Sequence, residues 1–133
     1  MIIVDTSVLI DWLRGAQNQK TDSFAGIVKT TNWCISALTY QELLQGVRED
    51  SDHDELKEYL ETQKIYLFPN ALDAYKLAAD IYRSLRKKGE TIRSMTDTLI
   101  AAMAIYNGFE LLHNDKDFDF IAKHVPELDL FDR

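Results

Sequence analysis

The sequence predicts an α/β domain in three layers, with a central, mostly parallel sheet of four to five strands flanked by helices. Short apolar segments alternate with longer amphipathic segments along the chain, which is the pattern of strands joined by helices. The 133 residues, 46% of them hydrophobic, suffice for one core. Repeats and low-complexity tracts are absent and only two prolines occur, so we expect a single domain over residues 1–133.

The first half of the chain contains two strand-to-helix units. "MIIV" predicts a buried strand, followed by the helix "SVLIDWLRG", which Thr6 or Ser7 could cap and Gly15 would end. "WCIS" predicts a second strand that leads into "ALTYQELLQGV", with Ser36 as N-cap and Gly46 near the helix end. Each unit therefore places a helix start beside the carboxyl end of a strand.

The middle of the chain is mostly helical. "DELKEYLETQ" predicts an amphipathic helix and "KIYLF" a third strand. The clearest helix is "NALDAYKLAADIYRSLRKKG", which Gly89 would end. Its apolar residues at helical spacing predict one buried face, made of Leu72, Tyr75, Ala79 and Tyr82.

The last third of the chain continues the alternation of strands and helices. "SMTDTLIAAMAIYNG" predicts another helix, "FELLH" a fourth strand and "LDLF" a fifth. In parallel sheets of this kind, polar groups that act on ligands gather at the carboxyl ends of the strands. The residues that follow each strand are therefore the candidates for function.

Charge and cysteine content restrict the function classes. The net charge of −7 argues against broad, nonspecific attachment to nucleic acid or to an anionic membrane. No apolar run approaches the roughly 20 residues of a membrane span, and the N-terminus lacks signal-peptide features. The single cysteine, Cys34, lies in an apolar segment and has no partner. We therefore expect a cytoplasmic protein with a buried structural thiol.

Four acidic residues stand apart from the other acidic side chains. Asp5, Glu42 and Asp97 lie in otherwise apolar or uncharged surroundings, and Asp115 follows the fourth strand. An ionised carboxylate there requires a cation or strong donors. Converging carboxylates would raise one another's pKa unless a divalent cation neutralised them, and ligation by oxygen alone suits Mg²⁺ or Mn²⁺.

Helix capping offers a simpler explanation for three of these acids. Asp5 could cap the first helix, Glu42 could complete a cap with Thr39, and Asp97 could be an acid favoured by the helix dipole. Capping does not require all of the acids to lie at one edge of a sheet, however. The convergence of the carboxylates is therefore the point that distinguishes the two explanations.

The motifs that contain these acids resemble the acidic motifs of PIN-domain ribonucleases, with the closest likeness to VapC toxins of type II toxin–antitoxin systems. In chain order they are "IIVDTSVLIDWL", "ISALTYQELLQGV", "IRSMTDTLIAAMAI" and "LLHNDKDFDFIAKH". The resemblance runs from Met1 to about His124 and implies a PIN-like sandwich fold. It also places Asp5, Glu42, Asp97 and Asp115 in a catalytic metal site.

The resemblance leaves some of the site open. Thr6 or Ser7 would help at its edge. The family often has Thr-x-Asp in the last motif, where this chain has His-Asn-Asp, so Asp117 or Asp119 could replace Asp115 as the fourth ligand. Arg93 is the only basic residue in the otherwise uncharged stretch around Asp97. It is predicted to hold the Asp97 carboxylate or to contact substrate.

The implied function is hydrolysis of RNA by a Mg²⁺- or Mn²⁺-dependent endonuclease. The resemblance further implies a VapB-like antitoxin as partner and a homodimer, while the charge and the lack of a long apolar run predict no membrane attachment. The basic run Arg86–Lys88 either complements a helix dipole or contacts RNA. His53, His113 and His124 share no zinc-ligand spacing, and we expect surface or packing roles for them.

Two other functions fit parts of the sequence. A metal-dependent phosphatase or other phosphoryl-transfer enzyme also places an aspartate after the first strand of an α/β sheet. A non-enzymatic interaction module could use the same acids to bind a basic partner. Activity on a small phosphate ester but not on RNA would favour the phosphatase, and absence of metal binding would favour the module.

Overall fold

The computed structural model describes residues 1–67, 71–92 and 94–132, and it confirms the α/β fold. Within these ranges, five strands form one sheet in the order β3-β2-β1-β4-β5. They are β1 (Ile2–Val4), β2 (Trp33–Ser36), β3 (Ile65–Tyr66), β4 (Glu110–Leu112) and β5 (Asp129–Leu130). Every pairing between these described strands is parallel, with β1 at the centre.

Helices connect the strands and cover both faces of the sheet. They are α1 (Thr6–Leu13), α2 (Gln19–Ala25), α3 (Ala37–Gly46), α4 (Asp50–Leu60), α5 (Ala71–Lys87), α6 (Met95–Asn107) and α7 (Lys116–His124). The sequence prediction had no helix at α2 or α7. Asn18 provided a signal for α2, because it forms a capping box with Thr21.

The three layers follow from the alternation of side chains along the strands. Ile2 and Val4 of β1 belong to an apolar cluster with α1 to α4, whereas Ile3 belongs to a second cluster with α5, α6 and α7. Cys34 is buried in the second cluster, as predicted, and burial raises the pKa of its thiol to about 11. The sheet is thus apolar on both faces, and its carboxyl edge is left for polar groups.

The predicted buried face of α5 is wrong. The side chains buried against the rest of the protein are Ala74, Ala78, Ile81 and Leu85. Leu72 is 77% exposed and Tyr75 is 54% exposed. Both rows have helical spacing, so periodicity alone could not distinguish them. The buried row contains two alanines, which let α5 approach α6 closely.

The helix caps correct a further expectation. Asp5, not Thr6 or Ser7, is the N-cap of α1, and its Oδ2 accepts the Ser7 N–H at 3.0 Å. Thr6 and Ser7 are the first two residues of the helix. Ser36 caps α3 as predicted, since its hydroxyl accepts the Thr39 N–H at 3.0 Å. Within the described residues, no helix is long and apolar enough to span a bilayer.

Gly108 terminates α6 in the left-handed region, with φ of 66°. A β-carbon there would meet nothing within 4 Å, so the cost of Gly108→Ala is conformational and should be about 1 kcal/mol of unfolding free energy. Gly46, which also has free space, lies within α3, and Gly46→Ala should be neutral or stabilising. Urea unfolding of both variants measures this contrast, and equal destabilisation would contradict it.

Candidate active site

Asp5 lies directly after the central strand, at the carboxyl edge of the sheet. Its backbone N–H donates to Leu112 O at 2.9 Å, which continues the pairing of β1 with β4. Its Oδ2 accepts from both the backbone N–H and the hydroxyl of Ser7, at 3.0 and 2.6 Å. Burial raises the pKa of this carboxyl, and the bonds from Ser7 oppose that change. Asp5 is therefore a buried carboxylate held in a fixed orientation.

Glu42 faces the same edge from α3. Thr6 Oγ1 donates to Glu42 Oε1 at 3.1 Å, which links the starts of the first two strand-to-helix units. The cap of α3 is supplied by Ser36, so the alternative in which Glu42 completes that cap with Thr39 is wrong. Burial raises the pKa of Glu42, and the charge of Asp5 raises it further. The two carboxyl groups therefore act on each other across Thr6.

Asp97, Asp115 and Asp117 form the most compact acidic group in the described part of the chain. One carboxylate oxygen from each lies within 4.8 Å of those of the other two. Asp97 is in the first turn of α6, and Asp115 is the N-cap of α7, with its Oδ1 accepting the Asp117 N–H at 2.9 Å. The starts of α6 and α7 thus bring three carboxylates together.

The pKa of Asp97 shows that this group and the two earlier acids form one electrostatic unit. Burial and four neighbouring carboxylates raise it from 3.8 to about 7. In decreasing order of effect, these neighbours are Asp115, Asp5, Asp117 and Glu42. All the carboxylates predicted from the four motifs therefore converge, which capping alone does not require.

The two substitutes for the fourth ligand differ in position. Asp117 belongs to the compact group with Asp97 and Asp115. Asp119 is largely exposed, and its Oδ1 lies 3.4 Å from His113 Nε2. Asp117 therefore lies with Asp115 at the carboxyl edge of the sheet, whereas Asp119 points toward His113. Arg93, predicted to support this edge, lies outside the described residues.

His113 and Asn114 are the residues at this edge that the sequence reasoning undervalued. His113 is buried and packs on Phe118 with ring centroids 5.2 Å apart, which confirms a packing role, but its Nδ1 also accepts the Asp115 N–H at 3.1 Å. Asn114 N–H donates to Ser7 Oγ at 2.9 Å. The available signal was the place of His113, two residues before Asp115, where the resembling family often has threonine.

A second set of polar bonds ties the loop after β4 to α1. Asp11 Oδ2 accepts from the side-chain amides of Asn114 and Asn18, at 3.0 and 3.1 Å. Ser7 joins the same loop to Asp5, because its hydroxyl accepts from Asn114 while it donates to the carboxylate. The loops that follow β1 and β4 therefore form one hydrogen-bonded unit.

The donor set fits a hard divalent cation. It consists of carboxylate oxygens that repel one another, as the pKa of Asp97 shows, and such sets favour Mg²⁺ or Mn²⁺ over zinc. Asp97, Asp115 and Asp117 each offer an oxygen at a separation that one ion can bridge. Asp5 and Glu42 lie near enough to raise the pKa of Asp97 and extend the negative surface.

Known proteins of similar structure share this fold over nearly their whole length. DNA-bound VapBC from Salmonella typhimurium has a TM-score of 0.76 at 18% identity, and the match covers 98% of this chain and 96% of the matched chain. VapBC-1 from nontypeable Haemophilus influenzae has a TM-score of 0.73 at 24% identity and covers 99% and 98%. At these identities the likeness shows the fold alone.

The amino-acid sequence itself shows the family. The profile of the PIN domain matches residues 2–124. The chain is 33% identical over 130 residues to VapC ribonuclease Mb1587 of Mycobacterium bovis and, equally, to ribonuclease VapC11 of Mycobacterium tuberculosis, with 92% of each chain covered. The chain therefore belongs to the PIN domain family, and within that family of nucleases it groups with the VapC proteins.

Proposed function

We propose that this chain is a single-domain, cytoplasmic endoribonuclease that depends on Mg²⁺ or Mn²⁺ and acts as the toxin of a VapBC-type pair. The observation that carries the proposal is the convergence of Asp5, Glu42, Asp97 and Asp115 at the carboxyl edge of the sheet. Family membership supports the class of enzyme, and the VapC relatives support RNA as the substrate.

The residues of the chain hold the site in place. When bound, the divalent ion supplies Lewis acidity toward a phosphodiester and lowers the pKa of a water molecule. Asp97, Asp115 and Asp5 would hold the ion. Of the two candidate substitutes, Asp117 would be a further ligand, and Asp119 would not. Because the backbone N–H and the hydroxyl of Ser7 both donate to Oδ2 of Asp5, that carboxylate would keep its orientation before an ion binds.

Glu42 completes the site from the other side of Asp5. Its hydrogen bond from Thr6 fixes the carboxyl group, which is half-buried and has a raised pKa. It can therefore bind an ion when charged or hold a proton when neutral. Arg93 stays a prediction as a contact to Asp97 or to the phosphate of the substrate, and RNA contact by Arg86–Lys88 stays open in the same way.

Two further surfaces support the proposed partners. Exposed Leu13 and Tyr59 line a groove with Val47 and Leu56, between α1, α3 and α4, and we assign this groove to a VapB-like antitoxin segment.

The exposed row of α5, which includes Leu72 and Tyr75, adjoins Met95, which is 83% exposed, around an apolar pocket. We assign this face to a second copy of the chain. The known complexes of similar fold are themselves described as toxin–antitoxin assemblies.

Removal of one carboxylate charge tests the enzyme. Asp97→Asn and Asp5→Asn should each lower RNA cleavage by more than about 100-fold and weaken Mn²⁺ binding, because each takes a charged oxygen from the site. Asp52→Asn, on exposed α4, is the matched control and should leave both unchanged. Cleavage is measured on labelled RNA, and Mn²⁺ binding by titration calorimetry.

The same experiment separates the alternatives. Undiminished RNA cleavage by Asp5→Asn in a clean preparation would refute the proposed site. Hydrolysis of a small phosphate ester without cleavage of RNA would favour a phosphatase. Absence of saturable Mn²⁺ binding by the unaltered protein would favour a non-enzymatic interaction module.

The raised pKa of Asp97 predicts how metal binding depends on pH. Below about pH 7 the ion must displace a proton, so the apparent affinity for Mn²⁺ should fall about tenfold per pH unit, and above pH 7 it should level off. Calorimetric titrations at half-unit steps from pH 5.5 to 8 measure the slope. A constant affinity across that range would contradict the prediction.

The free energy of unfolding of the metal-free protein provides an independent check of the raised pKa of Asp97. The folded chain keeps the Asp97 proton up to about pH 7, whereas the unfolded chain releases it near 3.8. The folded state therefore binds more protons between these values, and stability should decline as pH rises through them. Asp97→Asn should lack this part of the decline.

The homodimer prediction concerns the exposed row of α5. Leu72→Glu places a charge on this row and should raise the dimer dissociation constant by at least about tenfold, because charges are disfavoured at the centre of an interface. Leu13→Glu, on the face assigned to the antitoxin, is the matched control and should leave self-association unchanged. Sedimentation velocity measures both, and a monomeric unaltered protein would rule out the dimer.

A further inference from the structure

The side chain of His113 is placed to orient a proposed metal ligand. It follows β4 at the carboxyl edge and is only 3% exposed. Its Nδ1 accepts the backbone N–H of Asp115 at 3.1 Å, and its Nε2 faces Asp119 Oδ1 at 3.4 Å. An Nδ1 that accepts a hydrogen bond carries no proton, so the imidazole hydrogen lies on Nε2, toward Asp119.

This bond closes a short turn in the loop after β4. A side chain that accepts the N–H two residues later fixes the intervening backbone, as the short polar side chains of aspartate, asparagine, serine and threonine do in turns. Here the turn consists of His113, Asn114 and Asp115. The Asp115 carboxylate is fixed at its other end by the Asp117 N–H at 2.9 Å, so both its backbone and its side chain are held.

The same turn also reaches Asp5. Asn114 N–H donates to Ser7 Oγ at 2.9 Å, and Ser7 Oγ donates to Asp5 Oδ2 at 2.6 Å. This three-residue turn thus contains Asp115 itself and is linked to Asp5 through a single hydroxyl, that of Ser7. A change in the conformation of this turn would alter the separation of the two carboxylates.

We propose that His113 is a positioning residue, which accepts the Asp115 amide proton and thereby sets the geometry of Asp115 and Asp5 for a divalent ion. The inference rests on the proposed function, because it takes these two carboxylates as metal ligands. His113 acts here as a hydrogen-bond acceptor. A purely structural role, through the contact with Phe118, is the competing explanation.

A pair of isosteric variants separates the two roles. His113→Thr and His113→Val both remove the ring, its contact with Phe118 and its approach to Asp119. They have nearly the same volume, but only threonine can accept the Asp115 N–H from its position two residues earlier. Packing losses are therefore common to both variants, and the difference between them reports the hydrogen bond.

Two measurements on the full chain provide the readout. In the metal-free protein, the Asp115 amide should exchange with solvent at least about tenfold faster in His113→Val than in His113→Thr, as followed by NMR. In Mn²⁺ titrations, His113→Thr should bind within about threefold of the unaltered protein, and His113→Val about 10- to 100-fold more weakly. Equal exchange rates and equal Mn²⁺ affinities in the two variants would overturn the inference.

Further variants keep the test valid if the valine variant does not fold, and they distinguish failure of the positioning role from failure of the proposed metal site. If the valine variant does not fold, His113→Asn and His113→Leu repeat the comparison, because asparagine can accept the same N–H and leucine, which branches at Cγ in the same way, cannot. Asp97→Asn serves as the reference for metal binding. Loss of Mn²⁺ binding in that variant together with equal behaviour of the threonine and valine variants refutes the positioning role alone. Unchanged Mn²⁺ binding in Asp97→Asn refutes the metal site itself.

Discussion

The mutual repulsion of carboxylates at one edge of the sheet is the constraint on which the rest of the structure depends. Asp97 retains its proton to about pH 7 because it is buried and because four other carboxylates lie nearby. Such an arrangement is unfavourable by itself, so the surrounding structure must provide the stability that holds it together. The two apolar clusters on either face of β1, β2 and β4 provide it, and they leave the carboxyl edge to polar groups.

Helix capping and metal binding are compatible uses of the same residues. Asp5 and Asp115 are the N-caps of α1 and α7, and Asp97 lies in the first turn of α6. The partial positive charge at each helix start favours a nearby carboxylate, which offsets part of the repulsion within the site. A parallel sheet brings several helix starts to one edge, so capping positions are the natural places from which a metal site can be built.

The sequence allowed most of the architecture and the location of the principal acids at the sheet edge to be predicted, because strands and helix starts depend on local patterns. A strand followed by a capped helix can be recognised in the run of residues around Asp5 or Ser36. The orientation of α5 could not be predicted, since its exposed and buried rows both contain apolar residues at the same helical period. The choice between Asp117 and Asp119 likewise depends on the direction of the first turn of α7.

His113 illustrates a different limit of sequence reasoning. Metal-ligand spacing was the criterion applied to the histidines, and by that criterion His113 had no role beyond packing. Its hydrogen bond to the Asp115 amide depends on the backbone conformation of the turn, which a motif does not specify. Residues that orient a ligand through its main chain are in general recognised only when the coordinates of the loop are available.

The raised pKa of Asp97 also bears on how the protein folds before it meets an ion. With a pKa of about 7, this carboxyl is roughly half protonated at neutral pH, so a proton replaces part of the positive charge that a cation would supply. The metal-free chain can therefore adopt the folded arrangement of its carboxylates without the full cost of their repulsion. The loops after β1 and β4 are already joined through Ser7 and Asn114, so the geometry of the proposed metal site is largely set before an ion would bind. In the proposed metal-bound enzyme, a divalent cation would take the place of this proton, and Asp97 would then bind it in the charged form.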